Sequence, residues 1–357
     1  MNSTYVIAEA GVNHNGKESI AISLIDKAIE CGADAIKFQT YKTENLVTKY
    51  ADTADYQSKQ LHKKSNQYSM LKNLELSYDT FIRLSDYCKQ RKIDFLSSAF
   101  DKESLDFIVN KINPPFLKIP SGDITNGPLL LDHATTGKNI ILSTGMASMD
   151  EISHALYVIY HGYVHGNKEL LSNLKYKKLI LSEKAKETLR TKVTLLHCTT
   201  EYPAPLGEIN LKVLRTLSEF FEINVGYSDH TKGIAVSTAA VALGAKVIEK
   251  HFTIDNNLSG PDHKASLNPH EFKKLVKHIR MVEKSMGVAI KSPTRSEIKN
   301  KVHARKSLVA SKPIKKGEIL SHENVTAKRP GDGISPMKYW ETINQISTRD
   351  YETDEQI

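Results

Sequence analysis

Lys37 and Lys118 each fall within a short apolar run, and hydroxyl residues recur at comparable places: Ser98, Ser121, Ser143, Thr200 and Ser228. Two ammonium groups ringed by hydroxyls are suited to a small molecule carrying both a phosphate and a carboxylate. Either lysine is equally suited to forming an imine with a carbonyl substrate, and the sequence leaves both roles open. His230 and His251 follow two consecutive strand candidates. Neighbouring strands run about 4.8 Å apart, so imidazoles at matching heights can share one divalent ion. Glu9 ends the first strand candidate and can reach the same ion directly or through water. A two-histidine set completed by oxygen or water leaves positions open for substrate, and it favours manganese or magnesium over zinc.

These residues need a frame that brings strand ends together. Short, mostly apolar runs read as strands at Tyr5–Ala8, Ala35–Phe38, Asp94–Ser97, Phe116–Ile119, Asn139–Leu142, Thr194–Leu196, Asn224–Gly226 and Lys246–Ile248. Helical patterns lie between them. Glu18–Cys31 stops before Gly32, Ser148 to Glu151 reads as a capping box, and Gly233–Leu243 and Pro269–Met286 follow. Strict strand–helix alternation predicts a parallel sheet, and eight such units within residues 1–286 predict a closed (β/α)8 TIM barrel, with a doubly wound sheet as the rival. Functional groups of a barrel gather at the carboxyl ends of its strands. Any one polar strand end has a structural explanation; recurrence at nearly every strand points to a site.

The chain has 357 residues and a net charge of +8. Residues 161–192 carry eight Lys and Arg against three Glu, which suggests a peripheral basic insertion. No nucleic-acid motif accompanies it. The N-terminus lacks a basic flank and apolar stretch, and no apolar run approaches a membrane span of about 18 residues. Cys31, Cys88 and Cys198 have neither metal-type nor disulfide spacing. Together these features predict a cytoplasmic protein. Composition changes after Met286: residues 287–301 read as a linker and 302–357 as a small β-rich domain.

Eight segments carry a family resemblance. They are Ala8 to Gly16 (AEAGVNHNG), Lys37 to Thr40 (KFQT), Lys118 to Asp123 (KIPSGD), Leu142 to Met146 (LSTGM), His197 to Pro203 (HCTTEYP), Gly226 to Thr231 (GYSDHT), Glu249 to Thr253 (EKHFT) and Ser259 to His263 (SGPDH). In this order they resemble the bacterial N-acetylneuraminate and legionaminate synthases. Lys328 to Ser335 (KRPGDGIS) resembles their antifreeze-like (SAF) domain. The resemblance implies condensation of phosphoenolpyruvate with an N-acetylated aldohexose and water, releasing phosphate. It implies a divalent metal, manganese foremost with magnesium or cobalt as alternatives, on His230 and His251. Phosphoenolpyruvate would meet Lys37, Ser98, Lys118, Ser121, Ser143, Thr200 and Ser228. The sugar would meet Gln39, Asp123, Tyr202, Asp262 and Arg329. Glu9 would be the general base, with metal-bound water as the competing account. A domain-swapped homodimer is also implied, with Arg329 completing the partner's barrel.

N-acetylmannosamine, giving N-acetylneuraminate, is the acceptor read first. The alternative is 2,4-diacetamido-2,4,6-trideoxymannose, giving N,N'-diacetyllegionaminate, and the Thr199-Thr200-Glu201-Tyr202 segment leans towards it. Asp123 stands where glutamate is commoner in the family, and Ser98-Ala99-Phe100 replaces Thr-Pro-Phe. A non-catalytic carbohydrate- or ice-binding protein is the reading from another class. It has no use for two lysines and a histidine pair at barrel strand ends.

Overall fold

The computed structural model describes residues 3–52, 66–166 and 182–357. Eight parallel strands close into a barrel in sequence order: β1 (Tyr5–Gly11), β2 (Ala35–Thr40), β3 (Asp94–Ala99), β4 (Phe116–Ile119), β5 (Asn139–Ser143), β6 (Val193–His197), β7 (Asn224–Asp229) and β8 (Val247–His251). β1 pairs with β8, setting Glu9 opposite His251, and with β2, setting Glu9 opposite Lys37. The expected TIM barrel is therefore present, and the open sheet is excluded.

Side chains alternate across each strand. One set points outward into a large apolar layer shared with the helices, including Val6, Ile36, Phe95 and Ile248. The other set points inward, where Ile7, Ala35, Leu96, Ile141, Leu196 and Val247 form a separate apolar plug. Tyr5 and Phe116 close its lower end with ring centroids 5.4 Å apart. Gly226 belongs to the inward set. A Cβ there would lie 2.4 Å from the Val247 carbonyl oxygen and 2.6 Å from Leu196, so a larger residue would push β7 from its neighbours. Above the plug, the next inward positions are polar.

The helix Glu18–Cys31 ends at Gly32, whose φ of 81° lets its amide reach back to the last carbonyls. Capping boxes open the helices Met149–His165 (Ser148 with Glu151) and Pro269–Met286 (Asn268 with Glu271). The segment expected to be a peripheral insertion is partly integral. His161 and Gly162 are buried in the helix Met149–His165, and Ala185 and Leu189 are buried in the helix Glu183–Lys192. Only 167–181 lie outside the described residues. No helix among the described residues is long and apolar enough to cross a membrane.

Residues Met1–Gly287 form one compact unit and Val288–Ile357 a second. Half of the expected linker is a helix, Arg295–Ala304, opened by a Thr294–Glu297 capping box and burying no residue. The second unit then pairs β9 (Ser307–Ala310) with β10 (Val325–Lys328) in antiparallel fashion. Its own core contains Leu308, Ala310, Ile314, Leu320, Val325 and Tyr351.

Candidate active site

The polar inward layer begins one alternation above the plug. Ile7 is followed by Glu9, Ala35 by Lys37, Leu96 by Ser98, Ile141 by Ser143 and Val247 by Glu249. Lys118 rises from β4 beside them. These groups line a cavity of about 290 Å³ at the carboxyl end of the barrel. All the expected site residues of the barrel line it except Asp123.

At the floor lies a four-charge cluster, nearly all of it removed from solvent. The Lys37 ammonium lies 2.7 Å from Glu9 and 3.6 Å from Glu249, and Lys118 lies 3.5 Å from Glu249. Lys37 donates to Ser98 at 3.3 Å and Lys118 to Ser143 at 2.9 Å. Ser228 donates to Glu249 at 2.8 Å. Burial favours the neutral form of every member. For Lys37, burial is overcome by the attraction of Glu249 and Glu9, which hold the ammonium charged. For Lys118, burial wins and its pKa falls. Glu249 shows burial overcome by Lys118 and Lys37, which hold it low. Glu9 shows burial prevailing over Lys37, and its pKa rises to about 7.

The sequence pattern assigns Glu249 no role and ends the eighth strand at Ile248. The strand continues through His251. Counting alternation from Val247 puts Glu249 and His251 inside and Lys250 outside. Lys250 is buried between β7 and β8, 3.1 Å from Asp229, and donates to the Thr231 carbonyl. It is a structural ion pair of the outer layer.

The two histidines meet as expected. Their ring centroids are 5.6 Å apart, and Tyr202 packs at 4.2 Å from His230 and 5.3 Å from His251. The His230 Nδ1 lies 2.5 Å from the Thr199 carbonyl oxygen. That contact requires the proton on Nδ1 and leaves a lone pair on Nε2. Burial lowers the His230 pKa to about 4, against the pull of the Thr199 carbonyl. Burial, then His230 and Lys37, holds His251 well below the usual range. The His251 Nδ1 is buried without a hydrogen-bond partner. Two neutral imidazoles, one with a buried unsatisfied nitrogen, fit a divalent cation as ligands. Among the described residues, no group of three or more His, Cys, Asp or Glu is arranged to hold one by itself. The remaining positions would fall to substrate or water.

Around this pair, Gln39 approaches Glu9 at 3.5 Å, and Asp262 is half-buried, with desolvation raising its pKa to about 6. Ser121 and Thr200 hydroxyls approach at 3.4 Å beneath Gly145. Gly145 has φ of 39°, and a Cβ there would sit 2.3 Å from the Ser121 Cβ and 2.7 Å from the Thr200 hydroxyl. Asp123 departs from expectation. It ends the short turn Ser121–Asp123 and accepts from Asn126 at 3.2 Å, which ties it to the start of the next helix. Arg329 lies in the second unit, exposed, with its Nε donating to the Ala304 carbonyl at 3.0 Å.

Known proteins resemble this chain in sequence and fold. The profile of the NeuB family matches residues 24–291 and that of the SAF domain residues 305–357. An N,N'-diacetyllegionaminic acid synthase of Campylobacter jejuni is 48% identical over 357 residues, covering 100% of this chain and 99% of that protein. One from Legionella pneumophila is 42% identical over 334 residues, covering 94% and 87%. Among solved structures, the N-acetylneuraminic acid synthetase of Leptospira borgpetersenii, in complex with citrate, superposes with a TM-score of 0.68 at 32% identity, covering 84% of this chain and 90% of that one. With the family profile spanning most of the barrel and full-length relatives of this similarity, the chain belongs to the NeuB family and carries a C-terminal SAF domain.

Proposed function

We propose that this protein condenses phosphoenolpyruvate with 2,4-diacetamido-2,4,6-trideoxymannose and water, giving N,N'-diacetyllegionaminate and phosphate. The observation that carries the reaction class is the buried pair Lys37 and Lys118 lining one cavity together with the His230–His251 pair. The acceptor differs from the N-acetylmannosamine read first from the sequence. The full-length similarity to the Campylobacter legionaminic acid synthase supports the diacetamido sugar instead.

Lys37 and Lys118 meet the phosphate and carboxylate of phosphoenolpyruvate, and Ser121, Ser143, Thr200 and Ser228 orient them. A divalent cation on His230 and His251, manganese foremost, supplies Lewis acidity at the aldehyde oxygen when bound. Carbon 3 of phosphoenolpyruvate bonds to carbon 1 of the acceptor, whose oxygen gains a proton. Water then adds at carbon 2. Glu9, with its acid equilibrium near neutrality, takes a proton from that water. The resulting tetrahedral centre breaks its C–O bond, phosphate departs, and the 2-keto acid remains. Gln39, Tyr202 and Asp262, which line the same cavity, are assigned to the acceptor.

A panel of acceptors with phosphoenolpyruvate and manganese, read by product mass and phosphate release, tests this. The diacetamido sugar should give the highest kcat/KM; higher turnover of N-acetylmannosamine would return the reading to N-acetylneuraminate. Arg329 is assigned to the partner's site in a swapped homodimer. Arg329→Ala and His230→Ala should each be nearly inactive, and mixed dimers should regain activity. Mass-verified heterodimers as inactive as the parents would reject that assignment.

A further inference from the structure

The two histidines of the cavity stand at the ends of adjacent strands, and their chain neighbours form a charge pair with no part in the proposed chemistry. β7 and β8 run in register, with Tyr227 opposite Ile248, Ser228 opposite Glu249 and Asp229 opposite Lys250. Alternation sends Ser228 and Glu249 into the cavity and Tyr227 and Ile248 into the apolar outer layer. One alternation above Tyr227 and Ile248, that outer face ends in charges. Asp229 and Lys250 lie 3.1 Å apart, with side chains 0% and 1% exposed. Each directly precedes one of the two histidines.

The pair is tied into the turn that carries His230. Asp229 accepts from the Thr231 amide at 2.8 Å, from the Thr231 hydroxyl at 2.7 Å and from the Ser237 hydroxyl at 2.5 Å, and Lys250 donates to the Thr231 carbonyl. His230 therefore sits between two residues that bond to each other and, through Lys250, to β8. Ser237 belongs to the helix Ala235–Ala242, so the next element is held as well. His251 is fixed from its other side. Its carbonyl accepts from the Leu267 amide at 2.8 Å, and the Phe252 amide donates to the Glu9 carbonyl at 2.8 Å.

A buried ion pair adds little stability, because desolvating both charges offsets their attraction, and apolar residues of similar volume serve as well or better. What the charges add is direction. Apolar side chains tolerate a slide of one strand along the other; an ammonium held by a carboxylate and a carbonyl does not. A slip of one residue would shift a strand by about 3.3 Å and turn its inward side chains outward. It would separate two imidazoles whose ring centroids are 5.6 Å apart.

We propose that Asp229 and Lys250 are positioning residues for the divalent cation: by locking the end of β7 to the end of β8, they set the separation and aim of His230 and His251. The inference rests on the reading of that histidine pair as the cation's ligands.

Manganese alone, titrated into the metal-free protein and followed by the electron paramagnetic resonance signal of the free ion, tests this without turnover. Lys250→Met removes the ammonium and keeps the stem. Thr231→Val removes one bond to Asp229 and keeps the shape. Each should weaken manganese binding by about tenfold to a hundredfold, the usual effect of altering a residue that orients a metal ligand, with Thr231→Val at the lower end. Arg280→Met is the control for stability alone. It breaks an ion pair with Asp34, 2.8 Å long, at the amino-terminal end of the barrel. It should lower Tm and leave manganese affinity unchanged. Affinity within about twofold of wild type in Lys250→Met, measured well below its Tm, overturns the proposal, as does an equal loss in Arg280→Met. If Lys250→Met fails to fold, Thr231→Val decides by the same criterion. A wild type that binds no manganese refutes the ligand reading of the histidines and this inference with it. A wild type that binds it, with variants that bind it equally well, refutes the positioning role alone.

Discussion

Glu249→Gln tests the charge cluster without altering its shape. Glu249 faces Lys118 at 3.5 Å and Lys37 at 3.6 Å, and accepts from Ser228 at 2.8 Å. Lys37 keeps Glu9 as a counter-charge, whereas Lys118 has Glu249 as its carboxylate within 4 Å. The substitution therefore leaves the Lys118 ammonium buried with only hydroxyl and amide oxygens for company. Breaking a buried pair from one side costs about 3–5 kcal/mol, and the retained amide oxygen argues for the lower end. At about 2.1 cal/mol/K per residue, the 287-residue barrel unit has an unfolding entropy of about 0.6 kcal/mol/K, so the apo protein should lose about 5 °C in Tm. Phosphoenolpyruvate, on the proposed binding between the lysines, would supply the missing negative charge. The Tm gain on adding it should therefore be larger in the variant than in the wild type, although turnover falls because the lysines are no longer held in place. Differential scanning calorimetry with and without phosphoenolpyruvate measures both quantities. An apo Tm within 1 °C of wild type (about 0.6 kcal/mol on the same entropy), or a smaller ligand-induced gain than the wild type shows, would refute the view that Glu249 serves as the stand-in anion of an empty clamp.

Three further outcomes follow from the same geometry. His230→Ala or His251→Ala should lower kcat/KM by about a thousandfold or more, a loss of roughly 4 kcal/mol in transition-state stabilisation, and should abolish manganese binding measured by elemental analysis; wild-type turnover in excess chelator would contradict the metal assignment. Gly145→Ala should raise KM for phosphoenolpyruvate by about tenfold or more, near 1.4 kcal/mol, because its Cβ displaces the Ser121 and Thr200 hydroxyls; an unchanged KM would place phosphate elsewhere. Stability should fall between pH 7 and pH 5. Burial holds His14, His133, His230 and His263 at about 4, below their ordinary 6.5, so the unfolded chain binds more protons and the stability present above 6.5 is lost towards 4. Glu9 at about 7 and Asp262 at about 6 act in the opposite direction, since the folded state holds their protons. The histidines, His251 among them, outnumber these two carboxyls, so unfolding at pH 5 takes up protons on balance; a Tm higher at pH 5 than at pH 7 would reverse that balance.

The barrel was legible because its strands are apolar on both faces along most of their length. The site was legible because that apolar character stops where the chemistry starts. The same property hid the strand ends. β7 was expected to stop at Gly226 and continues to Asp229, and β8 was expected to stop at Ile248 and continues to His251. Each strand finishes in polar residues that β-propensity assigns to loops. Losing those residues also loses the alternation that separates Glu249 from Lys250. Both are charged and adjacent; one anchors the two lysines inside the barrel, and the other pairs with Asp229 behind it.

Asp123 and the small apolar cluster beyond the strand ends mark a different boundary. Asp123 follows β4 closely, as a mouth residue should, but the turn Ser121–Asp123 uses its carboxylate to hold Asn126. Position along the chain places a residue near a strand end; only the turn's own hydrogen bonds decide which way it faces. Val12, Leu46, Met70 and Phe100 carry no chemical signal at all, and their spacing in sequence is irregular. They become a surface because three successive β–α connections lean on one another above the barrel. Reactivity in this fold is written in the strands, where alternation and polarity can be counted. The connections are read less easily, because residues of ordinary type there acquire meaning only from what they pack against.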